Sequence, residues 1–488
     1  MLETIKENRA GSVCGIFTIR ETRDIPNLPV SLVWTATEKA MKVVEMFNVA
    51  PTSESNELPA QTTLPLTFFD ILWLRLPPVQ RIFFYEFPHP TPLFFHTLLP
   101  KLKHSLSLAL AHFFPLAGHL TWPLHSQNPI ITYKTGDTVS LTVAESDTDF
   151  NHLAGTDLSE AREIHHLLPH LTISHDQASV LALQVTLFPN SGFSIGITSH
   201  HAVLDGKTSI SFIKSWAYLC RDQQQSPFSL PPELSPFYDR EVVRDPNHLE
   251  QIFLSDWLKQ DGPNNRSLVV WDLQVPEDAT RGVFHLSRSD IEKLKQIVVS
   301  KKKGNSSKLR LSTFVLSVSY AWVCRVRAEK TKNKTVMLAL NVDCRARLEP
   351  AVPETYFGNC VGARFAIAET SEILGEDGLI VAVDAVNEGL ESLKEGALSG
   401  AESWTSSLLE GVKGGVKIVG IAGSPRFDAY SNDFGWGRPM KVEMASIDKT
   451  GAFCLSDSRS GDGVEIGFVS TKEAMHTFGS LLLNALQS

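Results

Sequence analysis

The chain has 488 residues, 43% of them hydrophobic and 20% charged, with a formal net charge of -9, a length beyond what one hydrophobic core usually supports, so two domains are the default. The acidic balance argues against nucleic acid or an anionic membrane surface as the main partner, because both favour basic footprints. Six scattered cysteines (Cys14, Cys220, Cys324, Cys344, Cys360 and Cys454) form no C-x-x-C pair, which argues against a zinc site or a disulfide framework and for a reducing, cytoplasmic compartment.

In chain order, residues 1–40 mix Lys6, Arg9, Arg20 and Arg23 with Glu3, Glu7, Glu21 and Asp24. They show no periodicity and are too acidic for a transit peptide, so they read as a disordered N-terminal extension. The richest apolar run that follows is broken by Asp70, Arg75 and Arg81, well short of the roughly 18 residues a membrane-spanning helix needs. Leu99, Leu102, Leu106, Leu110 and Phe113 recur three and four apart and predict a helix, with Pro100 in its first turn and its end at Pro115-Leu116-Ala117-Gly118. Val180 to Leu187, a Pro189-Asn190-Ser191-Gly192 turn and Phe193 to Ser199 predict a hairpin, whose second strand alternates apolar and small polar residues. After Asp205-Gly206 the period changes: Ile210, Ile213, Trp216 and Leu219 or Cys220 mark a buried helix face.

Residues 223–266, with Pro227, Pro231, Pro232, Pro236 and Pro246, read as a crossover linker without long regular structure. It separates an N-terminal lobe (41–222) from a C-terminal lobe (267–488). Beyond it, Ser289 to Glu292 reads as a capping box, Val336 to Val342 as a buried strand, Gly411 to Gly423 as loop and strand, and Ser470 to Glu473 as the cap of a final helix. Helices and strands mix without strict alternation, so the class is α/β or α+β with mixed sheets.

Two motifs carry chemistry. His201-x-x-x-Asp205 is weak alone, since with 16 histidines about one such match arises by chance. Its place at a strand-to-helix loop strengthens it, Gly206 lets the backbone turn there, and histidine has the unperturbed pKa best suited to proton abstraction near neutral pH. A metal reading with His200, His201 and Asp205 as ligands is disfavoured, because neighbouring residues on a strand point to opposite faces. Asp433-Phe434-Gly435-Trp436-Gly437 reads as a turn where backbone passes close to something, with Asp433 placed to pair with an arginine or cap the turn.

H-x-x-x-D-G followed far downstream by D-F-G-W-G resembles the BAHD family of plant acyl-CoA acyltransferases over about residues 41–488. Tyr356-Phe357-Gly358-Asn359-Cys360 resembles the Y-F-G-N-C signature of its anthocyanin and flavonoid clade. The stretches Leu64 to Asp70, Asn341 to Arg345 and Ser424 to Asp428 fit the same clade. The resemblance implies a two-lobed fold related to chloramphenicol acetyltransferase, with a solvent channel between the lobes and His201 at its centre. It implies malonyl transfer from malonyl-CoA, as co-substrate, to a sugar hydroxyl of a phenolic or flavonoid glucoside, with no bound cofactor or metal. His201 would be the general base. Asp205 would turn away and pair with Arg345, Asp433 and Trp436 would shape the channel wall, and Asp433 is a second proton-acceptor candidate.

The donor's phosphates and free carboxylate call for cations and hydroxyl donors. The resemblance suggests Arg81 as a donor contact, with Ser312 and Thr313 offering hydroxyls to phosphate at a helix start. Lys301 to Lys303 and Lys207 are better read as solvated. The expected partners are therefore an acyl-CoA and a phenolic glucoside, met by a monomer, with no nucleic acid or membrane. The rivals are another acyl-CoA donor on the same fold, a noncatalytic binding protein, and a metallohydrolase.

Overall fold

Three sheets organise the computed structural model, which describes residues 41–52, 58–221, 229–260, 262, 264–302 and 309–484. The extension expected at 1–40 lies outside the described residues. The first sheet runs, in spatial order, Met41–Val49, Val139–Ser146, Leu181–Phe188, Gly192–Ser199, Val79–Glu86 and Lys441–Met444. The second runs Val361–Glu369, Thr335–Asp343, Lys417–Ala422, Phe453–Asp457, Val464–Thr471, Ala279–Leu286 and Ser159–Glu160. Both mix parallel and antiparallel pairs. Each half of the chain lends one strand to the other's sheet: Lys441–Met444 pairs with Val79–Glu86, and Ser159–Glu160 pairs with Ala279–Leu286. A third, four-stranded sheet is built from Gln61–Pro65, Ile130–Lys134, His119–Thr121 and Gln177–Ser179.

The predicted hairpin is present, but all eight residues of Gly192–Ser199 are buried, not one face only. Its apolar side joins the first core through Phe193, Ile195 and Ile197. Its small polar side is covered as well: a Cβ at Gly196 would stand 2.0 Å from the Leu167 carbonyl oxygen, and Thr198 Oγ1 donates to Pro169 O at 2.8 Å. Small residues here admit a second layer of backbone, which simple alternation cannot reveal.

Helix Leu99–His112 packs on helix Gly206–Arg221. The junction is pinned where Trp216 Nε1 donates to Leu102 O and Ser105 Oγ, both at 3.1 Å. A second core gathers in the C-terminal half around helix Thr313–Ala328. That helix is buried almost all round, as expected of one enclosed by a sheet and other helices.

Local readings differ from the structure in three places. The stretch read as linker contains the helix Leu249–Leu258 and sends Leu230, Val243, Phe253 and Trp257 into the first core, because no proline falls between Pro246 and Pro263, a gap long enough for that helix. The capping box belongs to Ser287 and Asp290, two residues before the expected one; Ser287 Oγ donates to Asp290 Oδ2 at 2.6 Å and accepts from Asp290 N at 3.1 Å. Gly411 lies within the helix Trp404–Lys413 instead of a loop.

Candidate active site

The central strand Gly192–Ser199 ends at His200, and a tight turn closed by Val203 N donating to His200 O at 3.0 Å carries the chain to the helix at Gly206. Gly206 sits in tight space: a Cβ there would meet the Phe427 ring edge at 2.8 Å and push that ring aside, and its φ is not among the positive ones. His200 is fully buried, and its Nδ1 accepts from Ala202 N at 3.3 Å. The His201 ring lies flat against Trp73, with centroids 4.2 Å apart and planes 4° from parallel.

Burial pushes the His201 pKa down to about 4; hydrogen bonding to its own backbone, the charge of Asp205 and hydrogen bonding with Asn359 oppose this. The imidazole is therefore neutral at physiological pH. It holds a free lone pair, as a base must.

Asp205 is buried and fully engaged. Its Oδ1 accepts from Thr208 N at 2.9 Å, capping the helix, and its Oδ2 accepts from Cys360 N at 3.1 Å and lies 2.9 Å from Arg345. Arg345 has no exposure and also reaches Asp343 at 3.2 Å, Thr208 Oγ1 at 3.2 Å and the carbonyls of Tyr356 and Gly358 at 3.3 and 3.2 Å. Burial alone would lower the pKa of this guanidinium, but Asp205 and Asp343 outweigh it and hold it above the ordinary arginine value. Both Asp205 oxygens are thus engaged by the helix start, Cys360 N and Arg345, and no hydrogen bond joins Asp205 to the His201 ring among the described residues.

A second set of contacts holds the same loop. Asn359 Nδ2 donates to His201 O at 2.9 Å and to Asp70 Oδ1 at 3.0 Å, and the Asn359 backbone N–H donates to Asp70 Oδ1 at 2.9 Å. Asp70 Oδ2 accepts from Thr67 N and Thr67 Oγ1 at 2.9 and 3.0 Å and pairs with Arg240 at 3.3 Å. Arg240 in turn donates to Tyr356 Oη at 2.7 Å.

The 433–437 loop is built differently. Asp433 Oδ1 accepts from Gly435 N at 2.7 Å and Gly437 N at 2.9 Å, closing a turn in which both glycines have positive φ, +100° and +102°. Phe434 is the buried anchor, edge-on to Trp216 at 5.0 Å and to Tyr85 at 5.7 Å, and Trp436 meets Phe193 at 6.5 Å. These contacts tie Asp433 and Trp436 to their own turn and to the first sheet rather than to His201.

Of the donor-side residues, Arg81 lies on the strand beside the one leading to His201, opposite Ile197 and Met444. Its guanidinium is buried, forms no ion pair among the described residues and leaves one terminal nitrogen without a partner. Burial lowers its pKa, partly offset by Cys454 and Asp457. Ser312 caps the helix Thr313–Ala328 by accepting from Val315 N at 3.3 Å, and both Ser312 and Thr313 are exposed. Lys207 is taken up by Asp343 at 3.4 Å and by Glu354; Lys301 and Lys302 pair with Asp377 and Asp384, and Lys303 lies outside the described residues. Among the described residues no group of three or more His, Cys, Asp and Glu is placed to hold a metal, and no helix is long and apolar enough to cross a membrane.

A family model described as the Transferase family matches residues 43–481. The chain belongs to that family, the BAHD acyltransferases. This acyltransferase is 40% identical over 476 residues to phenolic glucoside malonyltransferase 1 of Arabidopsis thaliana, covering 92% of this chain and 99% of the relative. It is also 39% identical to an agmatine coumaroyltransferase of the same plant, covering 91% and 98%. In fold it resembles the crystal structure of vinorine synthase, with a TM-score of 0.65, 21% identity, and coverage of 91% of this chain and 98% of that one. The enzyme therefore transfers acyl groups and uses an acyl-CoA as co-substrate on a two-domain α/β scaffold.

Reading the sequence overlooked Trp73, Asp70, Arg240 and Asn359 in the acyltransferase site. Asp70 had a local signal: Thr67-x-x-Asp70 has the spacing of a capping box, and both halves of that box form. Asn359 stood inside a quoted motif, but as a mark of substrate class. The sequence offers no sign that Asn359, Asp70 and His201, so far apart in the chain, share one set of hydrogen bonds.

Proposed function

We propose that the enzyme moves a malonyl group from malonyl-CoA to a sugar hydroxyl of a phenolic or flavonoid glucoside, with His201 as general base. The observation that carries this reading is the neutral, oriented His201 imidazole in an acyltransferase 40% identical to a phenolic glucoside malonyltransferase over nearly its whole length. The imidazole takes the hydroxyl proton as the sugar oxygen bonds to the thioester carbonyl carbon. The resulting tetrahedral oxyanion collapses, the C–S bond breaks, and the CoA thiolate leaves, taking up the proton that the imidazolium releases. A positioned base contributes about 10²- to 10⁴-fold, and holding both substrates together in a channel between the lobes adds an entropic advantage.

On this reading Asp205 and Arg345 hold the loop, while Asp433 and Trp436 shape the channel from a distance. The exposed hydroxyls of Ser312 and Thr313 meet CoA phosphate at a helix N-terminus, where N–H groups favour anions. Arg81, buried without an ion pair, supplies the cation for an anionic part of the donor. The five described cysteines are free thiols, in keeping with a reducing, cytoplasmic compartment, where the enzyme is read as acting as a monomer.

A relative named as a coumaroyltransferase at nearly the same identity supports a second reading, in which the donor carries another acyl group. The test offers malonyl-, acetyl- and coumaroyl-CoA to the purified enzyme with flavonoid 3-O- and 7-O-glucosides and weighs the products. A malonyl mass gain on the sugar is expected; its absence with every acceptor, alongside transfer from another donor, would overturn the malonyl assignment.

A further inference from the structure

We propose that Asn359 is the positioning residue that sets the tautomer and orientation of the His201 imidazole, and that Asp70 is the buried anchor that orients Asn359. The proposal deepens the general-base reading and rests on it.

The argument begins with what each atom can do. Asn359 Nδ2 stands 3.0 Å from Asp70 Oδ1 and 2.9 Å from His201 O. A carboxylate and a carbonyl only accept, so the atom facing them must be the NH2 group, and the orientation of the amide follows from its partners. Asp70 cannot swing to relax this choice. It has no exposure, and its two oxygens are held by Thr67, Arg240 and the Asn359 backbone.

The other end of the amide is therefore an acceptor. Asn359 Oδ1 and His201 Nδ1 are both buried and neither makes a hydrogen bond of regular geometry, the ring facing its own backbone and Asn359. An unpaired buried polar atom is unfavourable, and the Asn359 side chain is already anchored on the His201 backbone carbonyl, beside the ring. Nδ1 is the ring nitrogen nearer that carbonyl. Hydrogen bonding from Asn359 also favours the protonated ring, as an acceptor facing a ring N–H does.

Pairing the two orphans places the hydrogen on Nδ1, leaving Nε2, at the far end of the ring, as the unprotonated base. Trp73 fixes the plane of the ring by stacking. The other charged or titratable groups around it are His200 and Asp205 on its own loop, Arg345 behind Asp205, and Asp70 with Arg240 behind Asn359. The Y-F-G-N-C segment thus acts on the base, whichever acyl group is transferred.

The experiment compares wild type with Asn359→Ala, Asn359→Asp and Asp70→Asn, each normalised to folded protein. Asn359→Ala is expected to lower kcat by about 10- to 100-fold, within the range a positioned base contributes, with KM for both substrates nearly unchanged. Asn359→Asp keeps the acceptor but puts a charge beside the ring; the acid limb of kcat/KM should move up by about one pH unit or more. In ¹⁵N-histidine NMR, with the His201 signal identified by its loss in His201→Gln, wild type should show the Nδ1–H tautomer. Asn359→Ala should show a mixture, and Asp70→Asn a smaller shift in the same direction.

A purely structural Asn359 predicts lower thermal stability with an unmoved acid limb and an unmoved tautomer, and that result overturns the proposal. If Asn359→Ala does not fold, the near-isosteric Asn359→Asp decides alone by whether its acid limb moves. Full turnover in His201→Gln would instead defeat the general-base reading, while the tautomer signal would still judge Asn359.

Discussion

The two loops that carry the signature motifs are stabilised in opposite ways. The His201 loop is held by buried charge: Asp205 on Arg345 from one side, and Asp70 with Arg240 behind Asn359 from the other. The Asp433 loop is held by its own backbone and by aromatic packing, with Asp433 closing the turn and Phe434 wedged between Trp216 and Tyr85. A loop that must keep one imidazole in one orientation gains from directional bonds, whereas a loop that forms a wall needs only shape. Both motifs contain an aspartate, yet one aspartate binds distant parts of the chain and the other bonds no further than four residues away.

The largest effect that can break this contrast is at His201. His201→Ala should lower kcat by about 10²- to 10⁴-fold with little change in the unfolding midpoint, measured by steady-state assay and urea unfolding. If Asp433→Asn, which leaves a side-chain oxygen for the turn, lost as much activity as His201→Ala, the assignment of Asp433 to shape alone would fail. Next, Asp205→Ala should destabilise the fold by about 3–5 kcal/mol, because it leaves Arg345 buried and poorly compensated; urea unfolding reads this. Phe434→Ala should cost a similar amount through a cavity instead, about 3–5 kcal/mol, but Phe434→Leu should recover much of it, as a volume effect predicts. Asp433→Ala, which leaves two turn N–H groups to water, should cost only about 1 kcal/mol.

The pH dependence sharpens the same point. His200 and His201 have pKa values pushed down to about 4 by burial, below the ordinary value of about 6.5. The folded state therefore binds fewer protons than the unfolded state between these values. Stability is complete above about pH 6.5 and declines as the pH falls towards 4. The acid limb of kcat/KM should likewise lie well below pH 6.5.

What the sequence made legible was local. Leu99 to Phe113 and Ile210 to Cys220 announced their helices because apolar spacing reports one covered face. The strand Gly192–Ser199 looked half-exposed because Ser194, Gly196 and Thr198 are small and polar; that the layer packed on them makes small size necessary is a tertiary fact. Gly206 was read as a bend, whereas the structure adds that the neighbouring Phe427 ring crowds any side chain there. Asp70 and Asn359 escaped notice for the same reason: each is ordinary in its own segment and acquires a role only when folding brings the segments together.

The exchange of edge strands has a consequence for the continuity of the chain. Lys441–Met444 completes the sheet begun at residue 41, and Ser159–Glu160 completes the one that ends near residue 471. A backbone cut between the halves would therefore leave two fragments interlocked by main-chain hydrogen bonds. Expressed alone, each would present an unpaired strand edge, prone to associate with other chains; expressed together, they are expected to reassemble.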